Sequence, residues 1–229
     1  YLGYLSALPQ MKLYHDATST KMNTLTPNSQ DIVAKLDGGM TITTYINALD
    51  PGASWYAAPY FLKPDMERFE QYLRFKPDMK LKYVYYYDTL LGVEPSRYMQ
   101  TKSLKERAHE AMTIYGLDST KVLTPEQIRA KIDLVREDNW FVRVLERESG
   151  EKTFLRIFRG MDRMPKEAEI TAAMKRLAMK LPTVGVVTGH GERNIHQTGD
   201  RNYTAFGEER HFRYALMNQG LDVKEVSLD

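Results

Sequence analysis

The residues best suited to chemistry follow one apolar stretch, in residues 183–192, whose sequence is TVGVVTGHGE. Gly189 and Gly191 flank His190, and Glu192 comes next. A histidine can act as a base or a ligand near neutral pH, a carboxylate can orient it, and glycines permit positive φ or a close backbone approach. The segment is therefore a candidate active site, a candidate contact for a small ligand or partner, or a sharp turn that leads the chain out of a strand.

More polar residues follow in the same loop, so a polar cluster can form there. The residues predicted to contact a ligand or partner are Gly189, His190, Gly191, Glu192, His196 and Asn202. With Asp200, the two histidines and Glu192 could ligate zinc, but their spacing matches no recognised zinc pattern. The GxG lacks a third glycine that opens a helix, and no Walker-type motif occurs. We therefore predict no metal, no cofactor and no complete catalytic set.

Composition limits the classes of protein to which the chain can belong. Its 229 residues are 42% hydrophobic and 27% charged, enough for a real core in one large domain or two small ones. The net charge of +2 gives no electrostatic case for a nucleic-acid partner. The absence of cysteine excludes disulfides, thiolate metal sites and cysteine nucleophiles, and it fits an extracytoplasmic protein. No apolar run reaches the ~18 residues of a membrane span, and the start lacks the features of a signal peptide.

Cap and turn residues predict several helices. Thr26 and Pro27 begin one with an apolar stripe of Ile32, Val33 and Leu36. Asp65 opens the next, which ends near residue 76 and carries the apolar residues Met66, Phe69, Tyr72 and Leu73. Further helices are predicted at residues 103–115, ended by Gly116, and at residues 125–134 and 166–180.

Strands are predicted at residues 40–47, 80–87, 140–148 and 152–159, the last two as a β-hairpin. The arginines at 143, 147, 156 and 159 alternate beside Glu146 and Glu148, which predicts a solvated face with cross-strand charge pairs. Tyr83 to Tyr87 predict a half-buried sheet. Alternatively, these tyrosines and the aromatic loop at residues 55–61 could form a stacking surface for sugars or peptides.

The element order predicts an α/β fold in two parts. Residues 1–165 contain an N-terminal lead-in segment followed by strand, helix, strand, helix and hairpin, an order that indicates a thioredoxin-like mixed-sheet domain without the redox Cys-x-x-Cys motif. Residues 166–229 hold a linker helix, a buried-looking strand at 183–188, a loop at 189–205, a helix at 206–218 and a strand at 221–227. That second part predicts the first βαβ unit of a Rossmann-like parallel sheet, with the histidine loop at the carboxyl end of its first strand, where ligands of such sheets gather.

Two stretches carry a family resemblance. Residues 16–37, DATSTKMNTLTPNSQDIVAKLD, with MTITTYI at 40–46, resemble the segment of the GldG family in which a Lys…Thr-Leu-Ser/Thr stretch precedes a helix and a strand. Residues 186–192, VVTGHGE, resemble the strand and loop at the start of that family's second, glutamine-amidotransferase-like domain. The resemblance runs in order along nearly the whole chain, although only these two stretches are specific.

The resemblance implies an auxiliary component of an ABC-type transport system, some of which are associated with gliding motility. It implies a non-enzymatic, periplasmic or extracytoplasmic domain that is anchored to the inner membrane by helices outside these 229 residues and works with a separate permease and ATPase. The first residue is not methionine and the sequence stops after an alternating segment, so we expect an excised piece. Two alternatives stay open: a hydrolase or metal-dependent enzyme centred on the GHGE loop, and a carbohydrate- or peptide-binding module.

Overall fold

The computed structural model describes residues 24–52, 58–197, 199 and 202–227. Their contacts form two compact units. One unit contains the described residues up to Met40, Gln71–Met79, and those from Leu145 onward, and the other contains Thr41–Glu70 and Lys80–Val144. The predicted division between residues 165 and 166 stays a prediction.

The chain is a mixed α/β protein, as predicted. The strands are β1 (Met40–Asn47), β2 (Met79–Tyr86), β3 (Val142–Arg147), β4 (Lys152–Arg156), β5 (Thr183–Thr188) and β6 (Asp222–Ser227). The α-helices are α1 (Pro27–Ala34), α2 (Leu62–Glu67), α3 (Glu70–Phe75), α4 (Arg97–Gln100), α5 (Leu104–Tyr115), α6 (Pro125–Lys131), α7 (Glu167–Ala178) and α8 (Thr204–Gly207). Short 3₁₀ helices lie at Pro59–Phe61, Ser119–Lys121, Val135–Glu137 and Leu216–Asn218.

The strands form two sheets. A four-stranded mixed sheet has the order β2-β1-β3-β4, and a two-stranded sheet pairs β5 with β6. The second pair is parallel, with Thr183 opposite Asp222 and Thr188 opposite Ser227. The predicted parallel pairing is therefore confirmed.

Local cap signals set the helix starts where the sequence predicts them. The Thr26 side chain accepts the Ser29 N–H at 3.4 Å and caps α1. Ser103 and Glu106 form a reciprocal capping box at the start of α5, and Gly116 ends that helix with φ 66°. These contacts satisfy backbone groups that have no partner inside the helix, so the start and stop residues are confirmed.

Two predicted apolar patterns are wrong in part. The helix predicted from Asp65 begins at Leu62 and breaks after Glu67, where the Arg68 and Phe69 N–H groups bond to the carbonyls three residues back. Met66 is 48% exposed, while Phe69 and Tyr72 are buried. The sequence MTITTYIN of strand β1 alternates apolar and polar residues, which predicts one solvent-facing side, but β1 is buried along almost its whole length, so both of its faces are covered.

The helix predicted at residues 206–218 is wrong. The segment contains only the short α8 and the 3₁₀ turn at Leu216–Asn218. The Asn218 side-chain amide donates to the carbonyls of Glu209, Arg210 and Phe212, at 3.3, 3.1 and 2.8 Å. Those bonds stabilise an irregular loop by satisfying carbonyls that a helix would have used itself.

Strand β5 differs from the buried strand that its sequence suggests. Its residues alternate between exposed and half-buried, and Val187 is 38% exposed. The cause is its position in a sheet that has only two strands among the described residues. Across all the described residues, no helix is both long and apolar enough to cross a membrane.

The predicted solvated arginine face is wrong for two of its four residues. Arg143 is fully buried and forms an ion pair with Asp65. Arg147 is 19% exposed and donates to the carbonyls of Leu177 and Asp37, at 3.2 and 3.0 Å. Arg159, in contrast, is 79% exposed, as predicted. Alternation along a strand identifies two faces, but it does not say which face is covered.

Candidate functional site

The histidine loop leaves the end of β5 through a sharp turn made by two glycines. Gly189 has φ 123° and Gly191 has φ 85°, both in the region that residues with a Cβ rarely adopt. The backbone N–H of His190 donates to Glu192 Oε2 at 2.6 Å. Both glycines adopt positive φ, as the sequence permits, and the Glu192 carboxylate stabilises the turn by accepting the His190 N–H.

The side chains of this turn face solvent. His190 is 64% exposed and Glu192 is 33% exposed, with 3.8 Å between His190 Nδ1 and Glu192 Oε1. That distance is at the outer limit of an ion pair, so the carboxylate bonds mainly to the backbone and the imidazole stays open to a partner. The turn therefore presents an imidazole on a fixed backbone.

His196 lies further along the loop and connects it to other elements. Its Nδ1 atom lies 2.9 Å from Glu208 Oε2, and its Nε2 atom lies 3.8 Å from Glu225 Oε1 on β6. Its backbone N–H donates to Asn194 Oδ1 at 2.6 Å. Glu208 and Glu225 belong to no motif in the sequence. Alternation at residues 221–227 predicts the strand that carries Glu225, but it does not predict that either glutamate approaches His196.

Asn202 is a structural residue of the loop. Its Oδ1 atom accepts the Asn194 N–H at 3.2 Å, and the next residue, Tyr203, donates its N–H to the Asn194 carbonyl at 2.8 Å. Asn202 therefore links two segments within the loop, which adds a role that the sequence did not predict. Asp200, which the sequence makes a candidate zinc ligand of this cluster, lies outside the described residues.

The contacts of the two histidine rings define what the loop presents. Among the residues that the structure describes, no group of three or more His, Cys, Asp or Glu side chains is placed to hold a metal ion. The ring contacts of His190 and His196 in that part of the chain are to carboxylates, and no hydroxyl hydrogen bonds to either ring. The loop therefore presents imidazole rings next to carboxylates on its exposed side.

Aromatic residues of the other unit form a second exposed feature. Tyr60 is 68% exposed, and its ring centroid lies 4.4 Å from that of Phe61. Trp55 and Tyr56, which belong to the same predicted stacking surface, lie outside the described residues. On β2, Tyr83 and Tyr85 are half-buried and Tyr86 is buried, so the prediction that these tyrosines belong to the sheet is confirmed.

A cavity of about 340 Å³ lies in the same unit as these aromatic residues. Leu49, Val93, Met99 and Ile114 contribute to its largely apolar wall. Ile114 is 74% exposed and Val93 is 41% exposed, so the cavity opens to solvent. Polar side chains share the lining with these apolar ones: Thr89, Glu94, Ser96, Arg107, Glu110 and Tyr115.

No family model, curated protein or solved structure significantly matches the chain.

Proposed function

We propose that the protein is a non-enzymatic, extracytoplasmic accessory domain of an ABC-type transport system, which docks a permease and ATPase complex or its cargo. The proposal starts from the GldG-like stretches at residues 16–37, 40–46 and 186–192. Residues 16–23 of the first stretch lie outside the described residues. It also includes the periplasmic location and the inner-membrane anchor that the resemblance implies. The cysteine-free sequence supports an oxidising location.

The observation that carries the docking role is the form of the GHGE turn. Gly189 and Gly191 allow a turn with positive φ, and Glu192 braces that turn through the His190 N–H. The imidazole of His190 nevertheless stays 64% exposed. A contact loop that is ordered before binding loses less conformational entropy when its partner arrives, so it binds more tightly for the same contacts.

The arrangement of strands supports the finer fold proposals. In the order β2-β1-β3-β4, the first two strands are neighbours and the hairpin lies on the other side of β1. This is compatible with a thioredoxin-like layer, in which the missing redox motif leaves a scaffold. The parallel pair β5 and β6 supports the start of a Rossmann-like, glutamine-amidotransferase-like sheet, although the connection between them contains only the short α8 and a 3₁₀ turn.

The test is affinity capture of partner subunits from native membranes by two matched variants. One carries His190→Ala with Glu192→Ala, and the control carries His109→Ala with Glu67→Ala, two exposed residues of the other compact unit. We expect the loop variant to keep its melting temperature and to lose most of the captured permease and ATPase, while the control captures as much as the wild type. Equal capture by the wild type and both variants would show that the loop is not part of the docking surface.

A further inference from the structure

The cavity of about 340 Å³ lies where β1 and β2 end, and we call it the strand-end cavity. The Ala48 N–H donates to the Tyr86 carbonyl at 2.8 Å, so the two strands end at the same edge of their sheet. The residues just after each strand that line the cavity are Ala48, Leu49, Thr89 and Leu90. Ligands of open α/β sheets bind at the carboxyl ends of strands, so the position favours a binding site.

Two buried asparagines fix this part of the wall. The Asn47 side chain donates to the Asp88 carbonyl at 2.8 Å, and its Oδ1 atom accepts the Leu49 N–H at 3.0 Å. The Asn139 side chain donates to the Thr89 carbonyl at 2.8 Å. The backbone at both strand ends is therefore ordered without a ligand, which lowers the entropy that binding costs.

One face of α5 forms another part of the wall. The residues of this helix that line the cavity at a spacing of three or four are Arg107, Glu110, Ala111 and Ile114. That spacing places them on one side of the helix. Ala108 and Met112 lie on another side and are buried with Val122 in a small apolar core. This core holds the helix in place and leaves the lining face available to a ligand.

Arg107 carries a positive charge that has no counterpart in the described part of the chain. No hydrogen bond or ion pair with a described residue involves its guanidinium, and its Nε atom is buried without a partner. Glu110, on the same face of α5, is paired with Lys102 instead. A guanidinium has only donors, and a carboxylate is the acceptor that matches its planar fork with two bonds. Arg107 therefore supplies an unused position for one carboxylate.

Glu94 also lines the cavity and has no ion pair with a described residue. It is exposed, whereas Arg107 is half-buried. Water solvates and screens an exposed carboxylate, so its effect on a bound charge is small. The less solvated Arg107 therefore decides which sign of charge the cavity prefers.

The size and the apolar part of the lining suit a small molecule. Leu49, Met99 and Ile114 belong to that part, and Ile114 is 74% exposed. A ligand that covers these side chains removes apolar surface from water, which favours binding. The volume of about 340 Å³ is near the lower end of the range of ligand pockets, about 300–1,000 Å³.

We propose that the strand-end cavity binds a small monocarboxylate, a molecule with one carboxylate on an apolar body. The carboxylate pairs with the Arg107 guanidinium, and the body covers Leu49, Met99 and Ile114. This inference goes beyond the proposed transport role and does not depend on it. The described lining belongs to the unit that contains Lys80–Val144, and the His190 turn belongs to the other unit.

The test uses the whole protein with ¹³C-labelled isoleucine methyl groups, and hexanoate as the probe. We expect saturable NMR shifts of the Ile114 methyl signal, which Ile114→Val identifies by removing it. Acetate, a carboxylate without the apolar body, is expected to cause no saturable shift at the same concentrations. Hexanol and hexylammonium, which have the body without the carboxylate, are expected to bind at least about tenfold more weakly than hexanoate. No saturable shift with hexanoate, or equal affinity for either of these two molecules, would overturn the proposal.

Protein variants then locate the carboxylate. Arg107→Met keeps most of the stem and removes the charge, and it is expected to weaken hexanoate binding at least about tenfold. Lys105→Met removes an exposed cation of the same helix that is not in the lining, and it is expected to change the affinity less than about twofold. Glu94→Gln is expected to change it equally little. Wild-type affinity in Arg107→Met would show that the proposal is wrong, and a tenfold loss in Glu94→Gln would assign the cavity to a cationic or zwitterionic ligand and contradict it.

A second variant tests the cavity without altering its charges. Ala111→Phe fills the space beside Arg107 on the lining face of α5, and it is expected to abolish the saturable shifts while the melting temperature is kept. This variant also decides the matter if Arg107→Met does not fold. Undiminished hexanoate binding by Ala111→Phe would place the ligand elsewhere and refute the proposal.

Discussion

The buried pair of Asp65 and Arg143 gives the sharpest stability prediction. Arg143 is 0% exposed and Asp65 is 2% exposed. The arginine also lies against the rings of Phe141 and Phe69, at 4.7 and 5.6 Å from their centroids. Burial lowers the pKa of Arg143 and the charge of Asp65 acts against that shift, so the carboxylate is the group that allows a cation in this interior.

Replacement of Asp65 by asparagine keeps the size of the side chain and removes its charge. Tyr83 donates to Asp65 Oδ2 at 2.8 Å, and its pKa is raised by burial first and by Asp65 second, so it remains a neutral donor that asparagine can still accept. The main loss is therefore the charge opposite Arg143. A buried ion that loses its partner typically costs about 3–5 kcal/mol, and we expect Asp65→Asn to lower the free energy of unfolding by that amount.

The assay is urea unfolding followed by circular dichroism, with two comparisons. Glu146→Gln breaks a pair with Lys152 that is 41% and 55% exposed, and it is expected to cost less than about 1 kcal/mol. Asp65→Asn combined with Arg143→Met removes both charges and is expected to be more stable than Asp65→Asn alone. A loss below about 0.5 kcal/mol for Asp65→Asn, or a double variant less stable than the single one, would refute the reasoning.

Three further predictions concern local structure. Gly189→Val forces a β-branched residue to φ 123° and is expected to lower the stability by about 1–3 kcal/mol, and an unchanged melting temperature would contradict this. Ser103→Ala removes the cap of α5 and should cost about 1 kcal/mol in urea unfolding, whereas an unaltered midpoint would count against the capping role. Burial opposes ionisation of Glu167, but hydrogen bonds from Ser29 and Thr26 outweigh it and hold its pKa below 4.5. The Glu167 carboxylate therefore binds a proton more readily in the unfolded chain than in the folded protein. The contribution of Glu167 to folding stability is present above the pKa of the unfolded chain and is lost as the pH falls through the lower folded pKa. Glu167→Gln should flatten this acid-side loss of stability, and identical pH profiles for the two proteins would exclude the effect.

The starts of most helices could be predicted because their signals are local. Thr26, Ser103 and Thr124 each cap a helix through a bond within three residues, and that pattern can be found in the sequence alone. The strands were predicted for the same reason, since β-branched and aromatic runs between turns are contiguous. The glycine turn after β5 could be predicted for the same reason, because Gly189 and Gly191 directly follow the strand in the sequence.

The long-range contacts could not be predicted from the sequence. Arg143 alternates with apolar residues as a surface arginine would, but it is buried against Asp65, which is distant in the chain and compensates its charge. Glu208 and Glu225 approach His196 for the same reason, through the folding of the loop against β6. The helix predicted at residues 206–218 is absent because the Asn218 side chain binds three carbonyls, a competition that apolar periodicity does not detect.

The central claim, a role in an ABC-type transport system, is tested most directly by purification of the tagged full-length protein from its native membrane in mild detergent. Mass spectrometry of the eluate would identify and quantify the proteins that accompany it. We predict an ABC permease and an ATPase in a fixed ratio to the tagged protein, and the same ratio after a second purification through a tag on the permease. Recovery of the protein alone, or with neither subunit in a constant ratio, would contradict the proposed function.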